Sequence, residues 1–504
     1  MKHSRTRALR LNMLAGWTSE LFTLISGLIL PRLILEAFGS EANGLVNSIT
    51  QYLGFSVVLR AGVGNVTRAA LYKPLADENM DQVSAIMAAT RSYMYKIALC
   101  VVGYVLAIGV LYPFIAKGSF SWDYMFFMVL IIGTRQIAEN LYGIQAKIML
   151  QADQKYYVQT VYGLISQLLI FAVTIAMIKL GANLMTLKIV TVVCAASGPF
   201  LLDFYVKRKY KLNTKAKPDN MAIKQRWDAF AQQVAVIIND NVALTLMTIF
   251  VNLKEVSVFT VHNMVTLNIK KVVEACVTGI NSTFGDMIAR KEKENLQNSF
   301  QLVEWVFFAM SAVIFAVTAI MLTPFVRLYT SGITDVNYNR PVFAIMLTTV
   351  AFINCIRVPY IQIVEAAGHF KQTKWHAFLE VGVNVTVAVF MTWKFGLIGA
   401  ICGTLIASPI RTILCAIYAY KNILELPVKK LLFSYGVYAL AFVFIVATAI
   451  IVGVPYCTSW LSWCMYSAVS VVWAVLVVLV ITLLNNRKQL QSVIARLKRK
   501  MGRK

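Results

Sequence analysis

The stretch LSWCMYSAVSVVWAVLVVLVITLL, residues 461–484, holds 24 residues and not one charged side chain. A helix of about 20 apolar residues is long enough to cross the hydrocarbon core of a bilayer. Comparable stretches recur from Leu11 to Leu484, and we count about fourteen of them. Over the whole chain 59% of the residues are hydrophobic, 14% are charged, and the mean hydropathy is +0.67. The sequence therefore predicts an all-α polytopic membrane protein.

The net charge of +25 is distributed unevenly among the connections between these stretches. Lysine and arginine are dense in alternate connections, above all in residues 207–224, whereas residues 36–44 and 453–462 contain neither. Connections rich in lysine and arginine stay on the cytoplasmic side of a membrane. We therefore expect both chain ends to be cytoplasmic. We interpret the basic excess as a topology signal that implies no nucleic-acid partner.

Two halves of the chain resemble each other on either side of a polar, basic segment that contains Pro218. Residues 38–45 (FGSEANGL) have a loose counterpart in residues 252–259 (NLKEVSVF), which favours an internal duplication of six-span units. The last residues predict a basic amphipathic helix on the cytoplasmic leaflet or, alternatively, a disordered tail. The predicted organisation is an N-terminal six-helix lobe (1–206), a basic cytoplasmic linker (207–225), a C-terminal six-helix lobe (226–422), two further transmembrane helices (423–485) and the basic tail (486–504).

Eight arginine and lysine residues inside the apolar stretches are candidates for substrate binding. A charged side chain at membrane depth costs several kcal/mol unless it faces a partner or a water-filled cavity, so it marks a functional-site hypothesis. The guanidinium group is a planar fork that matches phosphate oxygens, which suits such side chains to holding an anion. The candidates are Arg60, Arg68, Arg91, Arg135, Lys270, Lys271, Arg357 and Arg411.

Spacing distinguishes some of these candidates from others. Arg60, Gly64 and Arg68 follow i, i+4, i+8 spacing, which predicts two guanidiniums on nearly one helical face. The alternative for Arg68 is a boundary residue that reaches the cytoplasmic interface. Arg357 lies two residues before Pro359, where a disturbed helix frees backbone groups, so we expect it to face a lumen.

Two of the candidate cations have an acid four residues later. Arg135 precedes Glu139, and Lys270 precedes Glu274, a spacing that permits pairing within one helix. A paired charge is less available to a ligand. Lys271 is therefore the freer cation of its span.

Polar and acidic side chains also lie inside apolar stretches. Asn12, Glu20 and Thr23 form one stripe of the first span, which predicts either a wet cleft or helix packing through polar contacts. Intramembrane carboxylates often mark ion pathways. Glu20, Asp240 and Glu365 are therefore candidates for coupling transport to H⁺ or Na⁺.

Several motifs are missing from the sequence. It contains no Walker glycine loop, no His-Glu-x-x-His and no Cys-x-x-Cys, so we expect no ATP bound through a P-loop, no metal site and no cofactor. Most of the eight cysteines fall within apolar stretches, where they serve as small hydrophobes. Cys457 and Cys464 lie near an outward connection, where a disulfide is one alternative.

A set of short motifs marks the N-terminal part of the chain: Leu30-Pro31-Arg32, Phe38-Gly39, Gly44-Leu45, residues 62–68 (GVGNVTR) and Asp77-Glu78. With these motifs the chain resembles the Wzx-type polysaccharide flippases of the multidrug/oligosaccharidyl-lipid/polysaccharide (MOP) exporter superfamily. The resemblance implies two six-helix lobes in a V that rock between inward-open and outward-open states in the bacterial cytoplasmic membrane. It implies transport of an undecaprenyl-pyrophosphate-linked oligosaccharide, with the lipid tail among membrane lipids and polysaccharide polymerase machinery as a partner.

Two other functions remain as alternatives. A drug exporter of the same superfamily would bind organic cations, which a lumen lined by arginine and lysine repels. A membrane-embedded glycan polymerase or acyltransferase would carry catalytic residues on a large extracytoplasmic loop, and no outward loop much exceeds about 20 residues. We therefore expect a transporter with no catalytic residues rather than an enzyme.

Overall fold

The computed structural model describes residues 2–60, 63–116, 118–213, 216–219, 230–275, 280–453 and 456–485. These residues form α-helices with short 3₁₀ and π segments, and no β-strand occurs among them. The chain divides into two compact units, Met1–Ser257 and Val258–Lys504. The predicted all-α class is confirmed.

The described residues of the first unit form eight helices and the start of a ninth. A 3₁₀ segment, Phe55–Arg60, follows α1, and a π-turn, Glu139–Gly143, joins α4 to α5. The helices are α1 (Lys2–Gly54), α2 (Val63–Ala76), α3 (Met80–Ile115), α4 (Trp122–Ala138), α5 (Ile144–Ala152), α6 (Tyr156–Lys179), α7 (Leu184–Tyr210), α8 (Phe230–Phe250) and α9 (Leu253–Ala275).

The part of the second unit that the structure describes holds most of α9 and six further helices. A second π-turn, Tyr420–Leu424, follows α13. The helices are α10 (Ile280–Ala289), α11 (Lys293–Tyr329), α12 (Pro341–Ala366), α13 (Phe370–Ala419), α14 (Val428–Val452) and α15 (Trp460–Asn485).

A single glycine interrupts each of the two longest helices. Gly39 in α1 (φ 79°, ψ 176°) and Gly396 in α13 (φ 56°, ψ −127°) have non-helical angles at positive φ, which glycine adopts without a steric penalty. In α13, residues on either side of Gly396 meet in antiparallel register, as in the hydrogen bond from Thr404 Oγ1 to Asn384 Oδ1 at 3.3 Å. The helix α13 is therefore a helical hairpin.

Among the described residues, nine helices are long and apolar enough to cross a membrane. Two of the nine are α1 and α13, which glycine divides into two runs each. The protein is therefore a multi-pass helical membrane protein. The count of fourteen spans and the grouping into two six-helix lobes stay predictions.

Each unit has a buried apolar core. Because lipid is as apolar as these side chains, close packing rather than escape from water holds helices together within a bilayer. The cores include Leu45, Ile49, Val101 and Met128 around α1, α3 and α4; Leu71, Val83, Met149 and Leu202 around α2, α3, α5 and α7; and Phe300, Phe308, Phe315, Tyr360 and Tyr420 in the second unit.

The predicted linker begins inside a helix. The helix α7 continues to Tyr210, and Lys207 forms an ion pair with Asp203 one turn earlier. Lys211 then ends the helix in the left-handed conformation (φ 46°, ψ 41°). Of the remaining linker, residues 214–215 and 220–225 lie outside the described residues, as does the predicted tail 486–504. The assignment of lobes and linker stays a prediction.

Candidate anion-binding cavity

A cavity of about 430 Å³ lies within the first unit. Its wall comes from the second half of α1, the 3₁₀ segment, α4, α6 and α7. Three cations line it, Arg60, Arg135 and Lys188, and no acidic side chain is among its lining residues in the described part of the chain. The volume falls in the range of small-molecule sites, about 300–1,000 Å³.

Local backbone structure places each cation at the end or the beginning of an element. Arg60 is the last residue of the 3₁₀ segment, and Arg135 lies in the last turn of α4. Lys188 lies in the second turn of α7, whose N-cap Asn183 accepts the Thr186 N–H at 2.8 Å. The cap satisfies a backbone donor that the helix itself leaves open.

The structure does not pair Arg135 with Glu139. Glu139 Oε1 instead lies 2.6 Å from Lys147 Nζ. The π-turn that starts at Glu139 changes the direction in which the following side chains leave the helix. Gly143 leaves room for the Glu139 carboxylate, since a Cβ at position 143 would lie 2.6 Å from Glu139 Oε2. Within the described ranges no ion-pair partner of Arg135 occurs. The positive charge of Arg135 is therefore available to the cavity.

The electrostatics of the cavity favour an anion. The charges of Arg135 and Lys188 are close enough to repel each other, and Glu139 is the nearby carboxylate that acts on Arg60. Such interactions are stronger in a partly dehydrated site than in bulk water. An anion with several oxygens would relieve the repulsion, because arginine and lysine both donate charge-assisted hydrogen bonds to phosphate.

Neutral polar groups complete the cavity wall. Thr50, Gln136 and Thr191 line it together with apolar side chains such as Leu53 and Ile170. The Thr50 and Thr191 hydroxyls donate to backbone carbonyls of their own helices, so each has acceptor capacity left. These groups can bind sugar hydroxyls beside a phosphate.

Arg60 and Arg68 do not share a helix, so the i, i+8 prediction is wrong. Arg60 ends the 3₁₀ segment, and α2 begins only at Val63. Arg68 is not among the cavity residues; its Nη1 donates to Gln151 Oε1 at 2.9 Å. That contact joins α2 to α5, away from the predicted shared face.

Three other predicted cations are not among the residues that line this cavity. Arg91 is exposed and lines a separate cavity of about 40 Å³ near the Asp203–Lys207 ion pair. Lys270 Nζ lies 3.6 Å from Glu274 Oε1, the pairing that the spacing permitted. Lys271 is exposed. Their roles in substrate binding stay predictions.

The second unit holds a buried charged triad, Arg357–Glu380–Arg411. Arg357 Nη1 lies 2.6 Å from Glu380 Oε1, and Arg411 Nη1 lies 2.7 Å from Oε2. Glu380 is 0% exposed and Arg357 is 8% exposed. The expectation that Arg357 faces a lumen is corrected, because its guanidinium is directed at Glu380 and also donates to Asn354 Oδ1 at 3.0 Å.

The predicted ion-coupling residues do not form a common site among the described residues. Glu20 is exposed on α1, and Glu365 is half-buried near the end of α12. The side chain of Asp240 lies outside the described residues. No group of three His, Cys, Asp or Glu suited to a metal occurs in the described part of the chain.

The polar stripe of the first span packs against another helix. Asn12 Nδ2 donates to Gln154 O at 3.1 Å, and Thr23 Oγ1 donates to Gln167 Oε1 at 3.1 Å. The helix-packing alternative therefore describes these two residues. Cys457 and Cys464, both described by the structure, are not joined by a disulfide.

Sequence reasoning missed Lys188 and Glu380. Both lie inside apolar helices, α7 and α13, and so satisfy the rule that selected the other candidates. Applying the rule to every ionisable residue would have found them. Their partners are not visible in the sequence, because Glu380 meets arginines 23 and 31 positions away.

No family model and no curated protein matches the sequence. Among solved structures, the chain is similar to a lipid II flippase MurJ in its inward closed conformation, at 16% identity over 95% of this chain and 99% of that one, with a TM-score of 0.72. It is also similar to an inward-facing MATE family transporter of the MOP superfamily (14% identity, 80% and 94% covered, TM-score 0.55). A third similar structure is the MATE multidrug transporter DinF-BH, at 14% identity over 84% of this chain and 97% of that one, with a TM-score of 0.59. These similarities show the MOP-type fold.

Proposed function

We propose that this protein is a flippase that moves an undecaprenyl-pyrophosphate-linked oligosaccharide across the bacterial cytoplasmic membrane by alternating access, for surface polysaccharide biosynthesis. The observation that carries the proposal is the cavity of the first unit. Arg60, Arg135 and Lys188 face about 430 Å³ of space there, with no acid among the lining residues that the structure describes.

The proposed substrate matches the charge of this cavity. A pyrophosphate brings two adjacent groups of acceptor oxygens, and each charge-assisted hydrogen bond contributes about 1.5–3 kcal/mol. Binding also lowers the cost of holding three like charges together at membrane depth. Thr50, Gln136 and Thr191 would contact the first sugars.

A separate apolar cavity supports a substrate with a lipid tail. It measures about 370 Å³ and lies between α11, α14 and α15. Its lining includes Ile320, Val452 and Val469, together with Trp473, whose indole N–H is bonded to Thr448 Oγ1 at 3.1 Å. Because this wall leaves few polar groups unsatisfied, it suits an isoprenoid chain better than water.

Export of organic cations is the second candidate, since MATE transporters share the fold. The charge of the cavity opposes it. A cationic drug would add a fourth positive charge to Arg60, Arg135 and Lys188. A lumenal acid that attracts such drugs is not among the described lining residues.

Orientation and partners follow from the proposed role. Both chain ends would be cytoplasmic, and the substrate would enter from the cytoplasmic leaflet, where it is assembled. The polysaccharide polymerase machinery would accept it on the other side. The cycle would draw on H⁺ or Na⁺ rather than on a nucleotide.

Complementation tests the proposal. A strain that lacks its own oligosaccharide-lipid flippase would express the wild-type chain, and restored surface glycan is the expected result. Arg60→Gln, Arg135→Gln and Lys188→Gln should each abolish most of that glycan at unchanged protein level. Lys96→Gln, an exposed cation on α3 that is not among the predicted binding residues, is the matched control.

Two results would contradict the proposal. Unchanged glycan in all three cavity variants would exclude the cavity as the binding site. A wild-type chain that is well expressed, restores no glycan and instead confers resistance to cationic dyes would favour drug export.

A further inference from the structure

A second buried carboxylate in the second unit has no place in the proposed substrate site. Glu304 on α11 is 5% exposed. Tyr420 Oη donates to both of its carboxylate oxygens, at 2.9 Å to Oε1 and 2.7 Å to Oε2, and Tyr360 Oη donates to Oε1. A carboxyl group is rarely placed at such depth without a function.

Aromatic rings surround the carboxylate. The Phe300 ring centroid lies 5.6 Å from Tyr360 and 6.2 Å from Tyr420, and the Phe308 centroid lies 5.0 Å from Tyr435. Neighbouring aromatic rings thus separate this acid from bulk water.

Titratable groups reach Glu304 from the helices packed around it. Tyr360 comes from α12, Tyr420 from the second π-turn and Tyr435 from α14. Arg357 of α12 and Cys415 of α13 act electrostatically on Tyr435, on the side toward the charged triad. The direct contacts of the carboxylate include two phenolic hydroxyls.

The two buried acids described in this unit differ in their hydrogen-bond partners. Glu380 lies between two guanidiniums, which only donate hydrogen bonds and so match a carboxylate. A phenolic hydroxyl both donates and accepts. The hydroxyls of Tyr360 and Tyr420 can therefore donate to the Glu304 carboxylate and can accept a hydrogen bond from its protonated form.

We infer that Glu304 is a reversible proton-binding site that couples H⁺ to the transport cycle; the coupling rests on the proposed function. The proton is taken from water and returned to water, so no covalent bond of the protein changes apart from the O–H bond of this carboxyl group. Glu304 follows Lys293, the first residue of α11, by eleven residues, which places it about 16 Å along the helix from that end.

Infrared difference spectroscopy of the purified full-length protein tests the site without transport. Spectra recorded between about pH 5 and pH 9 should show the C=O band of a buried carboxylic acid appearing as pH falls. Glu304→Gln should remove this band. Tyr420→Phe should keep it and shift its frequency, because one hydrogen bond to the carboxyl group is lost. Glu294→Gln, at an exposed acid in the first turn of α11, is the control that should leave it unchanged.

The infrared outcomes test proton binding at Glu304 independently of its proposed coupling to transport. A band that persists in Glu304→Gln, or the absence of any titrating band in the wild type, overturns the proton site. Should Glu304→Gln fail to fold, an unshifted band in Tyr420→Phe overturns it equally.

Coupling is measured in proteoliposomes under imposed pH gradients. Wild-type flipping should follow the gradient, and Glu304→Gln should flip at a rate that ignores it while still binding pyrophosphate. A wild-type rate that ignores the gradient rejects coupling. Absence of any flipping would reject the proposed function, with the infrared result still deciding the proton site.

Discussion

The two units treat membrane-embedded arginines in opposite ways. In the first, Arg60 and Arg135 line an open cavity with no acid on its described wall. In the second, Arg357 and Arg411 are both bonded to Glu380, which is 0% exposed. The same residue type, in helices of similar composition, is left available in one place and neutralised in the other.

The difference shows that a charge inside a membrane-spanning helix must be compensated, but that the charge alone does not reveal whether it binds a substrate. A charge in a helix that spans a membrane costs several kcal/mol of free energy unless another group offsets that cost. A buried acid offsets it through a fixed ion pair, and a cavity offsets it through water or a ligand. An arginine in an apolar stretch therefore marks a compensated charge, and the compensating group decides whether it has a binding role.

Breaking the triad should have the largest effect on stability. Glu380→Met leaves Arg357 and Arg411 buried without their counter-ion, and we expect the free energy of unfolding to fall by about 3–5 kcal/mol. Replacing all three residues with methionine should restore stability to the wild-type level or above, because no charge is then left unpaired. Chemical unfolding in detergent measures both.

The control for the triad is Glu274→Met. Its partner Lys270 is 3.6 Å away and both side chains are partly exposed, so the loss should stay below about 1 kcal/mol. Equal losses of unfolding free energy for Glu274→Met and Glu380→Met would contradict the view that the buried triad contributes more to stability than a partly exposed ion pair. Transport by the triple methionine variant would show that the triad serves structure rather than substrate.

Neutralising the cavity should affect affinity instead of stability. We expect Arg60→Gln, Arg135→Gln and Lys188→Gln each to weaken binding of farnesyl diphosphate by roughly 10- to 100-fold, because each removes a charge-assisted hydrogen bond. Unfolding free energies should change by less than about 1 kcal/mol, since no fixed partner is lost. Isothermal titration calorimetry on the purified protein measures the Kd.

Lys96→Gln should leave both quantities unchanged, as expected of an exposed cation outside the cavity. A cavity variant that loses stability and keeps its affinity for the diphosphate would show that the cavity cations serve structure, as the arginines of the triad do. The proposed difference between the two units would then be wrong.

The sequence predicted the helical class because a bilayer admits few alternatives. Backbone groups in lipid must be satisfied internally, so long apolar runs become helices whatever their detailed packing. The reversal inside α13 also has a signal in the sequence, because one apolar stretch ends at Lys394–Gly396 and the next begins near residue 397. Gly396 has the positive φ of that turn. Glycine marks where a turn is permitted, and the packing of the two halves decides where it occurs.

The site was predicted in part for the same physical reason. Arg60 and Arg135 were found because charge at depth is rare and visible in sequence. The helical spacing of Arg60 and Arg68 was wrong because it assumed one continuous helix across residues that include a 3₁₀ segment. The spacing permitted Glu139 to pair with Arg135, and only the structure shows Lys147 as its partner.

The Lys147–Glu139 pair gives the smallest and most specific prediction. Lys147→Met removes the partner of Glu139 and leaves the carboxylate four residues from Arg135, within reach of an ion pair along the helix. Partial neutralisation of Arg135 should weaken diphosphate binding by about 3- to 10-fold, equivalent to roughly 1 kcal/mol. Calorimetry measures the change against the wild type.

Removing the carboxylate separates this charge effect from a packing effect. The double variant Lys147→Met/Glu139→Gln has no acid to neutralise Arg135, so its affinity should return to the wild-type level or exceed it. Glu139→Gln alone should also tighten binding slightly, because Glu139 acts electrostatically on Arg60 as well. Equal losses in the single and double variants would mean that Lys147 supports the cavity by packing. The availability of Arg135 would then depend on the shape of the π-turn and not on where Glu139 finds its counter-ion.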